Sequence, residues 1–213
     1  FYRMLGTFIN QHDDIDSLIT HMGYLESAVS IGLFRASLQN GYCKPQFTYE
    51  GMEIENGYHP MIETPVKNSI CESGGVLLTG SNASGKSTFL KMLAINALMA
   101  QTIYTVTADK YEAPVYYLYS SMSLRDDLDS GESYYIVEIK SIKRILDSAK
   151  NTEGKVLCFV DEVLRGTNTV ERIAASTQIL LSMTGENIRC FAATHDIELT
   201  KILKNYYNSY HQT

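Results

Sequence analysis

The sequence has little with which to cross a membrane, hold a structural metal or present a broad cationic face. No apolar run approaches the roughly 18 residues that span a bilayer, and the N-terminus lacks the basic, apolar and small-residue succession of a signal peptide, so a cytoplasmic location is expected. Its four cysteines, Cys43, Cys71, Cys158 and Cys190, are far apart and contain no CxxC pair. That spacing argues against a zinc ribbon or a dithiol couple and predicts small, reduced core residues. Basic residues are outnumbered, 18 Lys and Arg against 24 Asp and Glu, for a net charge of −6. A chain of that sign offers no broad nucleic-acid surface, and contacts to DNA phosphates are expected to lie mostly outside it. The cluster Lys140, Lys143 and Arg144, with Glu138 and Asp147 nearby, reads as a solvated helix face. No internal repeat or low-complexity segment is present, and the chain opens on Phe1 without an initiator Met, as a fragment of something longer would.

What is present is an ordinary globular composition, 45% hydrophobic and 20% charged, in 213 residues. After the "NQHDD" break, Ile15, Leu18, Ile19, Met22, Leu25 and Ala28 form one apolar stripe at helical period that runs on to Leu38, predicting a long helix. Pro45, Pro60 and Pro65 then interrupt a stretch of short strand-like runs, and a boundary near 45 is expected: a helical segment over 1–45 and a second domain over 46–213. From residue 75 the pattern alternates. It predicts a strand in "GVLLTG", a helix over 86–101, strands around 103–107 and 114–122, and a helix over 132–149. A strand in "KVLCFV", a helix over 170–183, a strand in "IRCFAAT" and a closing helix from 196 complete the order. Short continuous apolar runs alternating with helices predict an α/β fold whose sheet is covered on both faces.

The chemistry is concentrated at the ends of those runs. "GSNASGKST" is a complete GxxxxGK[ST] loop between a strand and a helix. Gly80, Ser81, Asn82, Ala83, Ser84 and Gly85 let successive backbone N–H groups converge on one anion; Lys86 brings a point charge to outer phosphate oxygens; Ser87 offers Mg²⁺ a hydroxyl; Thr88 continues into the helix. "KVLCFVDE" ends a buried strand on two acids. Asp161 suits a Mg²⁺ ligand, usually through water, and Glu162 suits a base for the water attacking a γ-phosphate. "CFAATHD" ends another strand on Thr194 and His195, whose imidazole suits the γ-phosphate or that water. Ser130, Gly131 and Ser133 mark the start of a helix with Ile136, Ile139, Ile142 and Leu146 on one stripe; their pattern fits either ordinary capping of a core helix or a second anion-binding N-terminus.

In this order the set resembles the ABC-type ATPases, and among them the MutS family of DNA mismatch repair ATPases: "GSNASGKST" is similar to the family's phosphate loop, "DDLDSGESYYIVEI" to its signature helix, "DEVLRGTNT" to its acidic motif, "ATHD" to its histidine loop and "GYHPMIE" to its His-Pro segment. The resemblance implies an ABC-type P-loop ATPase with Mg²⁺ as cofactor, ATP and ADP as ligands, a homodimer formed through this domain, and DNA held by a clamp at the far end of the N-terminal helix. It implies that Gly80 to Thr88 bind triphosphate, that Ser87 and Asp161 serve the metal, that Glu162 is the base and His195 the sensor. Ser133 would act in trans on a partner's nucleotide, and Asn168 would lie in a loop crossing between subunits. The sequence departs from the family in "TPVKNSI", where Pro65, Val66 and Asn68 stand near the usual adenine-stacking aromatic, with Val66 and Asn68 as the adenine-side candidates. It also departs in "SNAS" within the loop, and in lacking the mismatch-reading Phe-x-Glu element and the helical dimerisation element that follows the family's ATPase core. Besides an ATP-hydrolysing switch, a binding module whose closure matters more than its turnover and an ABC ATPase of chromosome maintenance not specific for mismatches remain open. Glu162 favours turnover, and the short distance from phosphate loop to signature disfavours a coiled-coil insertion.

Overall fold

The computed structural model describes residues 12–81, 84–122, 134–164 and 168–212, and divides into two compact units, Phe1–Gly41 and Tyr42–Thr213. In the first, α1 (His12–Ser37) is a single helix with Asp13 and Asp14 in its first turn and Arg35 in its last, charges that suit the helix dipole. The apolar stripe read from the sequence lies on it, with Leu18, Met22 and Leu25 exposed.

The second unit contains two sheets. β1 (Gln46–Phe47), β2 (Met52–Gly57), β3 (Asn68–Glu72) and β5 (Lys110–Ala113) form a small sheet in the order β1-β5-β2-β3, antiparallel except for the β1–β5 pair. The larger sheet holds β4 (Gly75–Gly80), β6 (Tyr116–Ser121), β7 (Lys155–Asp161), β8 (Ile188–Ala193) and β9 (Tyr207–Gln212), all parallel, in the order β6-β7-β8-β4-β9. The helices are α2 (Lys86–Ile103), α3 (Tyr134–Asn151), α4 (Thr169–Ser182) and α5 (Glu198–Ile202). This is the α/β architecture expected, a parallel sheet flanked by helices.

The central strands β4, β7 and β8 are largely apolar because their side chains alternate between two cores. On one face Val76, Leu78, Leu157, Phe159, Phe191 and Ala193 pack with Phe89, Leu90, Leu93 and Ala97 of α2. On the other, Leu77, Val156, Cys158, Val160, Cys190 and Ala192 pack with Ile142 and Ile145 of α3, Leu180 of α4 and Leu199 of α5. A strand with both faces covered has no position left for a polar alternation.

Several sequence expectations are corrected. No strand forms at 103–107: α2 continues to Ile103, Tyr104 ends it in the left-handed region at φ 51°, and Val106 makes only an isolated bridge to Cys43. The next strand, β5, joins the small sheet instead. The closing helix is five residues long, and the chain then returns as β9 beside β4. Cys158 and Cys190 are buried as expected, Cys43 is half-buried, and Cys71 is exposed; all four are free thiols. Among the described side chains of α3 the buried ones are Glu138, Ser141, Ile142, Ile145 and Ala149, whereas Ile136 and Ile139 are exposed, so the helix is turned relative to the stripe read from the sequence. Glu138 accordingly leaves the solvated face, where Lys140, Lys143 and Arg144 remain.

Candidate functional site

Parallel order places the site. Because β4, β8 and β7 are successive neighbours, with Leu78 opposite Ala193 and Ala193 opposite Asp161, their C-terminal ends stand in one row. The glycine loop leaves β4, Thr194 and His195 leave β8, and Glu162 follows β7. Carboxyl ends of parallel strands are where open α/β sheets collect ligand-binding groups.

Two cross-ties hold the row together. Thr194 N–H donates to Leu78 O at 2.9 Å, and Glu162 N–H donates to Ala193 O at 2.9 Å. Glu162 is left-handed at φ 57°, and Leu164 at φ 60°. Such backbone costs about 1–3 kcal/mol per non-glycine residue and persists where the surroundings hold it. One holder is visible: Glu138, only 1% exposed, accepts the Leu164 N–H at 2.5 Å, so α3 supports the turn that follows the acidic pair.

The glycine loop ends on Gly85, which caps α2 in the left-handed region at φ 91°. A Cβ there would meet nothing within 4 Å, so the demand for glycine is conformational and not spatial. No acid lies in the first turn of α2, which leaves the helix N-terminus electropositive. Lys86 is buried and folds back, its Nζ donating to Gly80 O at 2.8 Å and Ser81 O at 2.7 Å. Ser84 Oγ is buried without a hydrogen-bond partner among the described residues.

A cavity of about 230 Å³ is lined by Ser84, Gly85, Lys86, Ser87, Thr88, Glu162 and His195. At its wall His195 Nε2 and Glu162 Oε1 are 2.7 Å apart. Asp161 is buried at the end of β7. A second cavity of about 190 Å³ shares Glu162 and His195 and adds Val163, Arg172, Thr194 and Asp196. There Asp196 takes Arg172 in a bidentate pair, Nε to Oδ2 at 2.8 Å and Nη2 to Oδ1 at 2.6 Å. The pairing with Asp196, and more weakly the fields of Glu162 and Glu198, push the Arg172 pKa up.

The structure thus brings together Ser84 to Thr88, Glu162 and His195. Gly80 and Ser81 join through the Lys86 ammonium. Asn168 is the N-cap of α4, its Oδ1 accepting the Glu171 N–H at 3.1 Å. Val66 is 81% exposed and Asn68 Nδ2 donates to its carbonyl at 3.1 Å; neither lines the two cavities. Asn82, Ala83, Ser130, Gly131 and Ser133 lie outside the described residues. Sequence reading passed over Arg172, Asp196 and the support by Glu138. Only the adjacency of Asp196 to His195 hinted at any of them.

Among the described residues, no group of three or more His, Cys, Asp or Glu gathers to hold a metal, and no helix is long and apolar enough to cross a membrane.

A family model described as MutS domain V matches residues 76–212. The chain is 33% identical to the DNA mismatch repair protein MutS of Pseudothermotoga lettingae, over 80% of this chain and 22% of that protein. It is 34% identical to the protein of the same name from Thermotoga maritima, over 84% of this chain and 23% of that one. With the Clostridium kluyveri protein it shares 30% identity over 96% of this chain and 26% of the relative. The chain therefore spans about a fifth to a quarter of the length of the curated relatives it matches.

Proposed function

The chain belongs to the MutS family, and we propose that it serves there as the ATP-binding and ATP-hydrolysing domain of a DNA repair protein, a switch that dimerises around nucleotide and acts on a DNA clamp outside this chain. The observation that carries this reading is the cavity in which the phosphate-loop residues Ser84 to Thr88 face Glu162 and His195. A loop of backbone N–H groups, an undiluted helix N-terminus and a lysine suit a polyphosphate, and a carboxylate held by an imidazole suits the water that must attack it.

The donor set fits Mg²⁺. Ser87 and Asp161 are hard oxygen donors, and a cation that keeps waters and phosphate oxygens in its shell needs few protein ligands. Ser87 and Asp161 would hold it, and when bound it neutralises charge on the β- and γ-phosphates. The residues of this chain do the rest. Lys86 turns from the Gly80 and Ser81 carbonyls to phosphate oxygens, Glu162 accepts a proton from the attacking water, and His195 orients that carboxylate and meets the γ-phosphate. Val66 and Asn68 flank the adenine, which without an aromatic stack is held with modest selectivity against guanine. In the homodimer Ser133 reaches the partner's nucleotide and Asn168 lies at the crossing loop. A cytoplasmic location belongs to the same proposal.

The test is binding of a labelled ATP analogue with Mg²⁺ to the chain and to Lys86→Ala. Loss of one charge-assisted anchor should weaken binding by about tenfold or more. Undiminished affinity in a folded variant would remove the phosphate cradle from the proposal.

A further inference from the structure

His195 is set on a short loop, its side chain 37% exposed, and a ring so little packed takes its direction from the backbone that carries it. That backbone is held on both sides. Before it, Thr194 N–H is tied to Leu78 O of the strand that leads into the glycine loop, at 2.9 Å. After it, Asp196 N–H donates to Thr194 Oγ1 at 3.0 Å, closing a tight turn around the histidine, and Asp196 O accepts Leu199 N–H at 3.2 Å. The remaining anchor is the Asp196 carboxylate, whose side chain is 10% exposed and wholly engaged by Arg172. Arg172 belongs to the first turn of α4, where its N–H donates to Asn168 O at 2.9 Å. The guanidinium and the Asp196 carboxylate therefore join the first turn of α4 to the residue that follows the imidazole.

We propose that Arg172 and Asp196 are a positioning pair for His195, holding its imidazole within hydrogen-bond reach of Glu162 and coupling it to the N-terminus of α4; this rests on the ATPase reading above. The pair does not touch the reacting atoms. Its fork geometry fixes distance and plane together, which a single lysine contact cannot do. A largely buried ion pair adds little to stability once desolvation is counted, so a role in geometry accounts better for its presence beside Glu162 and His195 than a role in holding the fold. Asn168, the N-cap of α4, lies in the proposed crossing loop, so displacement there by a partner subunit is passed to His195 through the Arg172–Asp196 pair and the turn around the histidine.

The experiment compares the full chain with Asp196→Asn, Arg172→Gln and Arg172→Lys. Three quantities are read: Kd for labelled ATP with Mg²⁺, kcat, and the ring-nitrogen NMR signals of His195 without nucleotide. Asp196→Asn and Arg172→Gln should lower kcat by about tenfold with Kd changed less than about twofold, and Arg172→Lys should recover part of the loss. In both disabled variants the His195 Nε2 signal should lose its hydrogen-bonded character while those of His59 and His211 stay in place. Unchanged kcat and an unchanged His195 signal would overturn the pairing role. So would parallel losses of kcat, affinity and melting temperature without recovery in Arg172→Lys, since that pattern belongs to a merely structural contact. If the unmutated chain neither binds nor hydrolyses ATP, the ATPase reading fails, and the His195 signal alone still decides whether the pair orients the ring.

Discussion

His195 Nε2 stands 2.7 Å from Glu162 Oε1, across the ends of two adjacent parallel strands, and the two side chains together wall the cavity that the glycine loop opens into. The imidazole N–H donates to the carboxylate. Glu162→Gln keeps the size of that group but removes its basicity. Hydrolysis is expected to fall by at least about a hundredfold, with ATP affinity retained. A steady-state assay beside a binding titration decides it, and turnover near the unmutated rate would place the base elsewhere.

The proposed sharing of the site between two subunits predicts complementation. If Ser133 acts on a partner's nucleotide, Lys86→Ala chains mixed with Ser133→Arg chains form dimers with one intact loop facing one intact signature. Partial recovery of ATPase activity over either variant alone is expected, and activity per molecule of the unmutated chain should rise with concentration by mass action. Activity independent of concentration, with no recovery on mixing, would mean that one chain holds a complete site.

Asn96 should be the polar residue whose loss costs most stability. It is fully buried on α2, and its amide donates to Tyr58 O at 3.1 Å and Met92 O at 3.0 Å. Its carbonyl accepts from Thr107 N–H at 2.7 Å and Thr107 Oγ1 at 2.8 Å. Asn96→Ala strands the Thr107 N–H in an apolar core, while the Tyr58 carbonyl keeps the Thr107 hydroxyl at 2.6 Å, so the cost is about 1–3 kcal/mol. Urea unfolding measures this; a change below about 0.5 kcal/mol would show that water replaces the amide.

Acid should destabilise the protein through His59. Burial, and then the charge of Lys91, hold its pKa below the ordinary 6.5, and the neutral ring accepts the Met61 N–H at Nδ1. As pH falls through 6.5 the unfolded chain takes a proton that the folded one resists, so stability is lost on acidification and regained above that value. His59→Gln should flatten the change in unfolding midpoint between about pH 7.5 and 5.5. An equal slope in both proteins would assign the acid sensitivity to other groups.

Local pattern carried much of this protein into the open. The apolar runs of β4, β7 and β8 are legible because both faces of each strand are covered, and a strand covered twice has no choice but to be apolar along its length. The glycine loop is legible because a left-handed turn at Gly85 and an N-terminus free of acids leave their mark on composition within a few residues. Asp161, Glu162 and His195 could be named as candidates for the same reason, since each interrupts an apolar run at its end.

What the tertiary structure alone decided is who meets whom. Strand order in a parallel sheet is set by how helices cross over and pack, and no window of sequence encodes it; the order β7-β8-β4 is what brings Glu162 to His195 and both to the loop. The same holds for Arg172 and Asp196, each an ordinary charged residue in its own segment and a bidentate pair only when α4 and the end of β8 come side by side. Val106 and the residues after Ile202 were misread because their fate depends on distant partners, Cys43 for one and the free edge of β4 for the other, and an edge waiting for a strand is visible only once the rest of the sheet is built.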